Sequence, residues 1–179
     1  LQVLNTILGD SFTSRLNQNL REQHGYTYGA GSAFVTRKKA GPFYAMASVQ
    51  TDKTGPALGE FFKELSGIRE VVPEEELEKA KNYLAYRFPS EFETNSDVAG
   101  NLSTLEIYSL PEDTYSNYVR NIRSVTAGQV QEAAKQYIDP ERMIVLLVGD
   151  RAVIEEDVKA LDLGPLQYRD RMEGLEAGF

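Results

Sequence analysis

Cysteine is missing from this 179-residue chain, which excludes disulfides, thiolate chemistry and sulfur-ligated metal but does not fix a compartment. Histidine occurs once, as His24. A single histidine cannot form the two-histidine pair common to hydrolytic zinc sites, so neither H-E-x-x-H nor H-x-x-E-H is possible. A Ser–His–Asp relay would have to recruit His24, and no G-x-S-x-G elbow is present. No apolar run approaches the ~18 residues of a membrane span. Positive charge is also scarce. The net charge of −8 leaves no basic stripe to offset phosphates, which argues against nucleic-acid binding. Arg37-Lys38-Lys39 is the one basic run and reads as a solvated hairpin tip. Gly29-Ala30-Gly31 has no helix start after it and is no phosphate cradle.

Apolar residues make up 41% and charged residues 26%, the balance of a globular domain with its own core. Leu1-Gln2-Val3-Leu4 already looks helical, and a domain seldom begins in mid-element. Residues 1–179 therefore read as a single domain that is a piece of a longer polypeptide. The acidic, cysteine-free composition suits a bacterial cytoplasm or periplasm and leaves the choice open.

Along the chain, Leu1 to Leu8 reads as a short helix stopped by Gly9. Asp10 or Ser11 can cap a second helix, on which Phe12, Leu16 and Leu20 recur on one face. Gly25 ends that helix. A period of two follows, with Tyr26, Tyr28, Ala30, Ser32 and Phe34 on one face. The other face, Thr27, Gly29, Gly31, Ala33 and Val35, is so small that an element, most simply a helix, must pack closely on it. A polar turn and a second strand over residues 42–51 complete a hairpin. Helices are expected from about residue 52 to 69 and from Pro73, with Glu74, Glu75 and Glu76 at the positive end of the dipole and Glu75 paired to Lys79. More follow from Asn95 to Tyr108, from Pro111 to Ile122, after the capping box of Thr126 and Gln129, and from Ala152 to Leu161. Met143 to Val148 is wholly apolar and predicts a strand buried on both faces and paired to the hairpin. The pattern is α+β, with a mixed, mostly antiparallel sheet carrying helices on one face and lacking its first strand or strands.

The segment from Leu20 to Gly29 concentrates the chemistry. It is a helix end, a glycine stop and a strand entered at once by two phenols. By spacing alone, Arg21 and Tyr28 read either as a surface arginine and a half-buried strand tyrosine, or as a clamp of two directional donors. Tyr26 shares the strand face and is the alternative holder of the phenol role. His24 reads as a helix-end residue beside the last carbonyls.

Leu4-Asn5-x-x-Leu8-Gly9, Ser14-Arg15-Leu16 and Leu20-Arg21-Glu22-x-x-Gly25-Tyr26-x-Tyr28 together resemble the inactive half of pitrilysin/insulinase-type zinc peptidases, a family that includes the mitochondrial processing peptidases. Glu76-Leu77-Glu78-x-Ala80-Lys81 and the run from Met143 to Asp150 extend the likeness. The resemblance implies a processing-peptidase-like α+β fold. It also implies that zinc and a glutamate base reside on an H-x-x-E-H-bearing half or subunit, while Arg21 and Tyr28 contact the peptide substrate from the opposing half. Tyr26 stands where many members have an apolar residue. Two other roles remain: a non-proteolytic scaffold of the same superfamily, and a module that binds peptides by strand addition. The isolated chain is expected to bind no catalytic zinc and to cleave no peptide. Metal analysis and a peptidase assay check this, and zinc-dependent cleavage by the chain alone would refute it.

Overall fold

The computed structural model describes residues 1–169. The expected tail from Gly164 lies outside the described residues from position 170 onward. Helix α1 (Gln2–Asn5) continues without a break into a π-helical turn, Thr6–Asp10. A second helix, α2 (Arg15–Asn17), likewise continues as a π-helical segment, Gln18–Gln23. The hairpin consists of β1 (Thr27–Phe34) and β2 (Phe43–Val49), paired antiparallel. Helices α3 (Thr54–Gly67), α4 (Glu74–Arg87), α5 (Asn95–Tyr108), α6 (Tyr118–Arg123), α7 (Ala127–Tyr137) and α8 (Arg151–Ala160) follow.

The core forms where the apolar stripes of these helices meet. Val3, Leu4, Ile7 and Leu8 pack with Leu16 and Leu20, with Leu77, Ala80 and Leu84 of α4, and with Val130 and Ala134 of α7. Onto this layer the hairpin lays Ala30, Phe34, Phe43, Ala45, Ala47 and Val49. Its opposite face, with Tyr28, Tyr44 and Met46, is exposed. An antiparallel sheet with helices on one face is thus the architecture the sequence pattern implies.

Several local expectations are corrected. Gly9 does not stop the first helix; the chain turns extended only at Ser11, with φ −90° and ψ 153°. The glycine serves a close approach instead, because an added Cβ would overlap Ser32 N and Oγ. Ser32 Oγ donates to Asn5 Oδ1 at 2.8 Å across the same seam. A helix therefore does pack tightly on β1, but on the face of Ala30 and Ser32, not on that of Gly29, Gly31 and Ala33. Phe12 lies before the second helix and is exposed, whereas Leu16 and Leu20 are fully buried.

No Glu75–Lys79 pair forms among the described residues; Glu76 instead meets Arg15 Nε at 2.7 Å. From Pro111 the chain makes turns, and the helix begins only at Tyr118. There Thr114 and Ser116 return their hydroxyls to local carbonyls and so compete with a helical ladder.

The largest correction is at Met143–Val148. Among the described residues this run is extended but unpaired, and Ile144, Leu146 and Val148 face solvent. An apolar run has strand propensity, yet a ladder needs an adjacent edge. The described sheet contains β1 and β2 only.

The helix–hairpin seam is closed at Gly9, with no room for a Cβ. Gly9→Ala should lower stability by about 1–3 kcal/mol, the range for overpacking a closed contact, measured as a reduced urea midpoint. A wild-type midpoint would mean that the seam is looser than described.

Candidate functional site

The corner after α2 follows from local backbone bonding. Gly25 adopts φ +65°, the left-handed conformation that a residue without Cβ enters at little cost. The Gly25 N–H donates to the Arg21 carbonyl at 3.1 Å, and the Tyr26 N–H to the Leu20 carbonyl at 2.8 Å. The last helical turn thereby closes on the first strand residues. Arg21 stands on that turn, its guanidinium 4.1 Å above the Phe12 ring and its Nε 3.5 Å from Glu22 Oε1.

Tyr28 owes its direction to an irregularity in the hairpin. Thr27 pairs with Val49 and Ala30 with Ala47, so Tyr28 and Gly29 together oppose Ser48 alone. This β-bulge inserts one residue and resets the alternation of faces. Ala30 and Ser32 consequently point into the core while Tyr28 projects wholly into solvent. Tyr28 does not share their face, contrary to a strict period of two. Its hydroxyl makes no hydrogen bond among the described residues.

Arg21 and Tyr28 line one open cleft with Asp10, Phe12 and Met46. Gly9, Gly29 and Gly31 contribute bare backbone to its wall, so an extended peptide could approach closely. Tyr26 goes elsewhere. It packs against the core and stacks on His24, with centroids 4.9 Å apart and planes 21° apart. His24 also lies outside the cleft, its Nε2 3.8 Å from Glu60 Oε1. Hydrogen bonds from Lys63 and Asn19 hold the Glu60 carboxyl below the ordinary carboxylate range.

Two residues that pattern reasoning missed hold the bulge in place. Asn17, buried on α2, accepts the Ala30 N–H at 3.0 Å through Oδ1 and donates to the Ser11 carbonyl at 3.2 Å. Thr27 Oγ1 donates to the Ser48 carbonyl at 2.6 Å and accepts the Gly29 N–H at 3.1 Å. A polar residue directly after the buried Leu16 was the available signal for Asn17. Thr27 had none, since threonine is ordinary in a strand.

Comparison with known proteins covers the segment that contains this corner. Residues 1–84, which include both Arg21 and Tyr28, match the family model described as the peptidase M16 inactive domain. This segment is similar to the inactive domain of M16 peptidases. The inactive-domain match accords with the likeness carried by the first thirty residues. Over 83 residues the chain is 37% identical to an uncharacterized zinc protease of Rickettsia felis, covering 46% of this chain and 20% of that protein. The crystal structure of a peptidase M16 inactive domain from Pseudomonas fluorescens superposes with a TM-score of 0.70 at 28% identity, over 77% of this chain and 33% of that one. A protease from Helicobacter pylori shares the fold, with a TM-score of 0.68 at 20% identity over 77% of this chain and 34% of its own. The chain thus spans about a fifth of the curated relative's length and about a third of each solved chain.

The donor chemistry of the described residues does not fit zinc. Among the described residues no three His, Cys, Asp or Glu side chains lie close enough to share a metal. What the cleft offers instead is a fixed cation and a free phenol.

If Asn17 sets the bulge, Asn17→Ala should leave the Ala30 N–H buried and unpaired, at a cost of about 1–3 kcal/mol. Amide exchange at Gly29 and Ala30 should accelerate while α7 stays protected. Unchanged exchange at those two amides would remove Asn17 from this role.

Proposed function

We propose that this domain is the substrate-positioning unit of a zinc-dependent endopeptidase. It would act with an H-x-x-E-H-bearing half of the same polypeptide or with a separate subunit. The observation that supports this is the convergence of Arg21 and Tyr28 on one glycine-walled cleft, with the Tyr28 hydroxyl uncommitted. In a scaffold, nothing would require a bulge that turns a tyrosine away from the core.

The chemistry follows from those two groups. The zinc-bearing half would supply the activated water and the base. Arg21, steadied on the Phe12 ring, presents N–H donors in a planar fork suited to a carbonyl or carboxylate. Tyr28 offers one O–H donor from a strand whose backbone is pinned on both sides of the bulge. Groups held rigidly where charge develops need no reorganisation during the reaction, which is how such donors lower a barrier. Their task is to orient the scissile carbonyl and to stabilise its developing charge. Tyr26 is the alternative phenol, although its stacking on His24 leaves it less free to turn.

The complete enzyme carrying Arg21→Ala or Tyr28→Phe should lose about 100-fold in kcat/KM, the range for removal of one oxyanion donor, with zinc content unchanged. Tyr26→Phe should change activity little. Full peptidase activity in both the Arg21 and Tyr28 variants would end the clamp reading, and a large loss in Tyr26→Phe alone would move the phenol role to that residue.

A further inference from the structure

A cavity of about 450 Å³ opens between the α2 segment and helices α3 and α4, and it shares only Ser11 with the Arg21–Tyr28 cleft. Its volume is that of a small-molecule site. Asn19 stands in its wall and is 3% exposed. Asn19 Nδ2 donates to Glu60 Oε2 and to Glu64 Oε1, both at 2.7 Å. Two carboxylates accept only, so they fix which end of the amide is the nitrogen and leave Oδ1 as its free end. That oxygen is buried and has no hydrogen-bond partner among the described residues. A buried amide oxygen left unpaired calls for a missing donor.

The charges around the cavity are sorted along it. Glu64 stands at the Asn19 end, and its Oε2 accepts no hydrogen bond among the described residues. Arg15 lies one turn before Asn19, about 5.4 Å along the helix axis. It gives Nε to Glu76 Oε2 at 2.7 Å, while its two Nη groups and the Lys79 ammonium make no hydrogen bond among the described residues. Two cations, Arg15 and Lys79, and two carboxylates, Glu64 and Glu76, therefore line one space. A ligand with a net charge of either sign meets as much repulsion as attraction there. A single water would satisfy Asn19 Oδ1 and use none of the charges.

A molecule with an ammonium at one end and a carboxylate at the other uses all of them. An ammonium has three N–H donors, enough for Asn19 Oδ1 and Glu64 Oε2 together. A carboxylate accepts from the Arg15 fork, with Lys79 as a second cation. The charged ends of a free amino acid are too close together to span a helical turn. A dipeptide, which reaches at most about 7 Å, spans it. Gln18 and Gln23, also in the wall, offer amide donors and acceptors to its central peptide group.

We infer that this cavity is a second ligand site, which binds a free dipeptide with its ammonium on Asn19 and Glu64 and its carboxylate on Arg15 and Lys79. The inference does not depend on the roles of Arg21 and Tyr28.

Calorimetric titration of the 179-residue chain with L-alanyl-L-alanine tests it. Saturable binding at one site per chain is expected, with a Kd on the order of 0.1 mM for so small a ligand. N-acetylation or C-terminal amidation of the dipeptide should each weaken binding about 10-fold or more, the effect of losing one charged hydrogen bond. Glu64→Gln, which keeps an acceptor for Asn19 Nδ2, and Lys79→Ala should do the same. Lys79 is exposed, so its variant decides the matter if Glu64→Gln does not fold. Arg21→Ala should bind as the wild type does. No saturation up to about 10 mM would overturn the inference and leave water as the partner of Asn19 Oδ1. Equal binding of the blocked dipeptides would overturn it as well. So would loss of binding in Arg21→Ala, which would put the dipeptide in the substrate cleft.

Discussion

The bond from Asn17 Oδ1 to the Ala30 N–H is where the two halves of the candidate site become one object. Arg21 lies one turn beyond Asn17 on the same helical segment, and Tyr28 lies two residues before Ala30 on the same strand. Fixing Asn17 to Ala30 therefore sets the helix end relative to the bulge. The bond is buried, so breaking it would strand an amide out of reach of water, and that penalty keeps it closed. The Gly9–Ser32 approach acts a few residues away on the same seam. Together they leave little slack between helix and hairpin.

This arrangement separates stability from chemistry. Leu16 and Leu20 bury one side of the helical segment completely, and the polar groups that remain on the other side are free for use. Phe12 illustrates the division. By periodicity it belonged with the leucines, yet it lies outside the core and supports a guanidinium instead. Tyr26 and Tyr28 divide similarly, one stacked and packed, the other projecting. On the proposed reading, a surface of this kind contributes geometry and charge to a reaction whose metal lies elsewhere.

Much of the architecture was legible because it rests on short-range rules. The glycine stop at Gly25 and the capping box at Thr126–Gln129 both depend on residues within a few positions of one another. The antiparallel hairpin followed from period-two alternation and a polar tip. The illegible parts are non-local. A bulge at Tyr28–Gly29 is decided by a helix residue ten or more positions upstream, so alternation misassigned the face of Tyr28. The π-helical turns carry no compositional mark. Met143–Val148 satisfied every local criterion for a strand, and among the described residues no neighbour pairs with it. Of the site, the type and spacing of Arg21 and Tyr28 were readable, whereas the reason they converge was not.

Both irregularities that frame the cleft have the same arithmetic. A π-helical turn holds one residue more than the α-helical turn it replaces, and a bulge holds one residue more than the strand opposite it. Removing a single residue from either would yield a more regular helix or ladder. It would also rotate Arg21 around the helix axis or return Tyr28 to the other side of the sheet. The cleft is therefore written partly in the count of residues as well as in their identities. Such a surface is as sensitive to a deletion as to the loss of one of its side chains, and its lineage should keep its length.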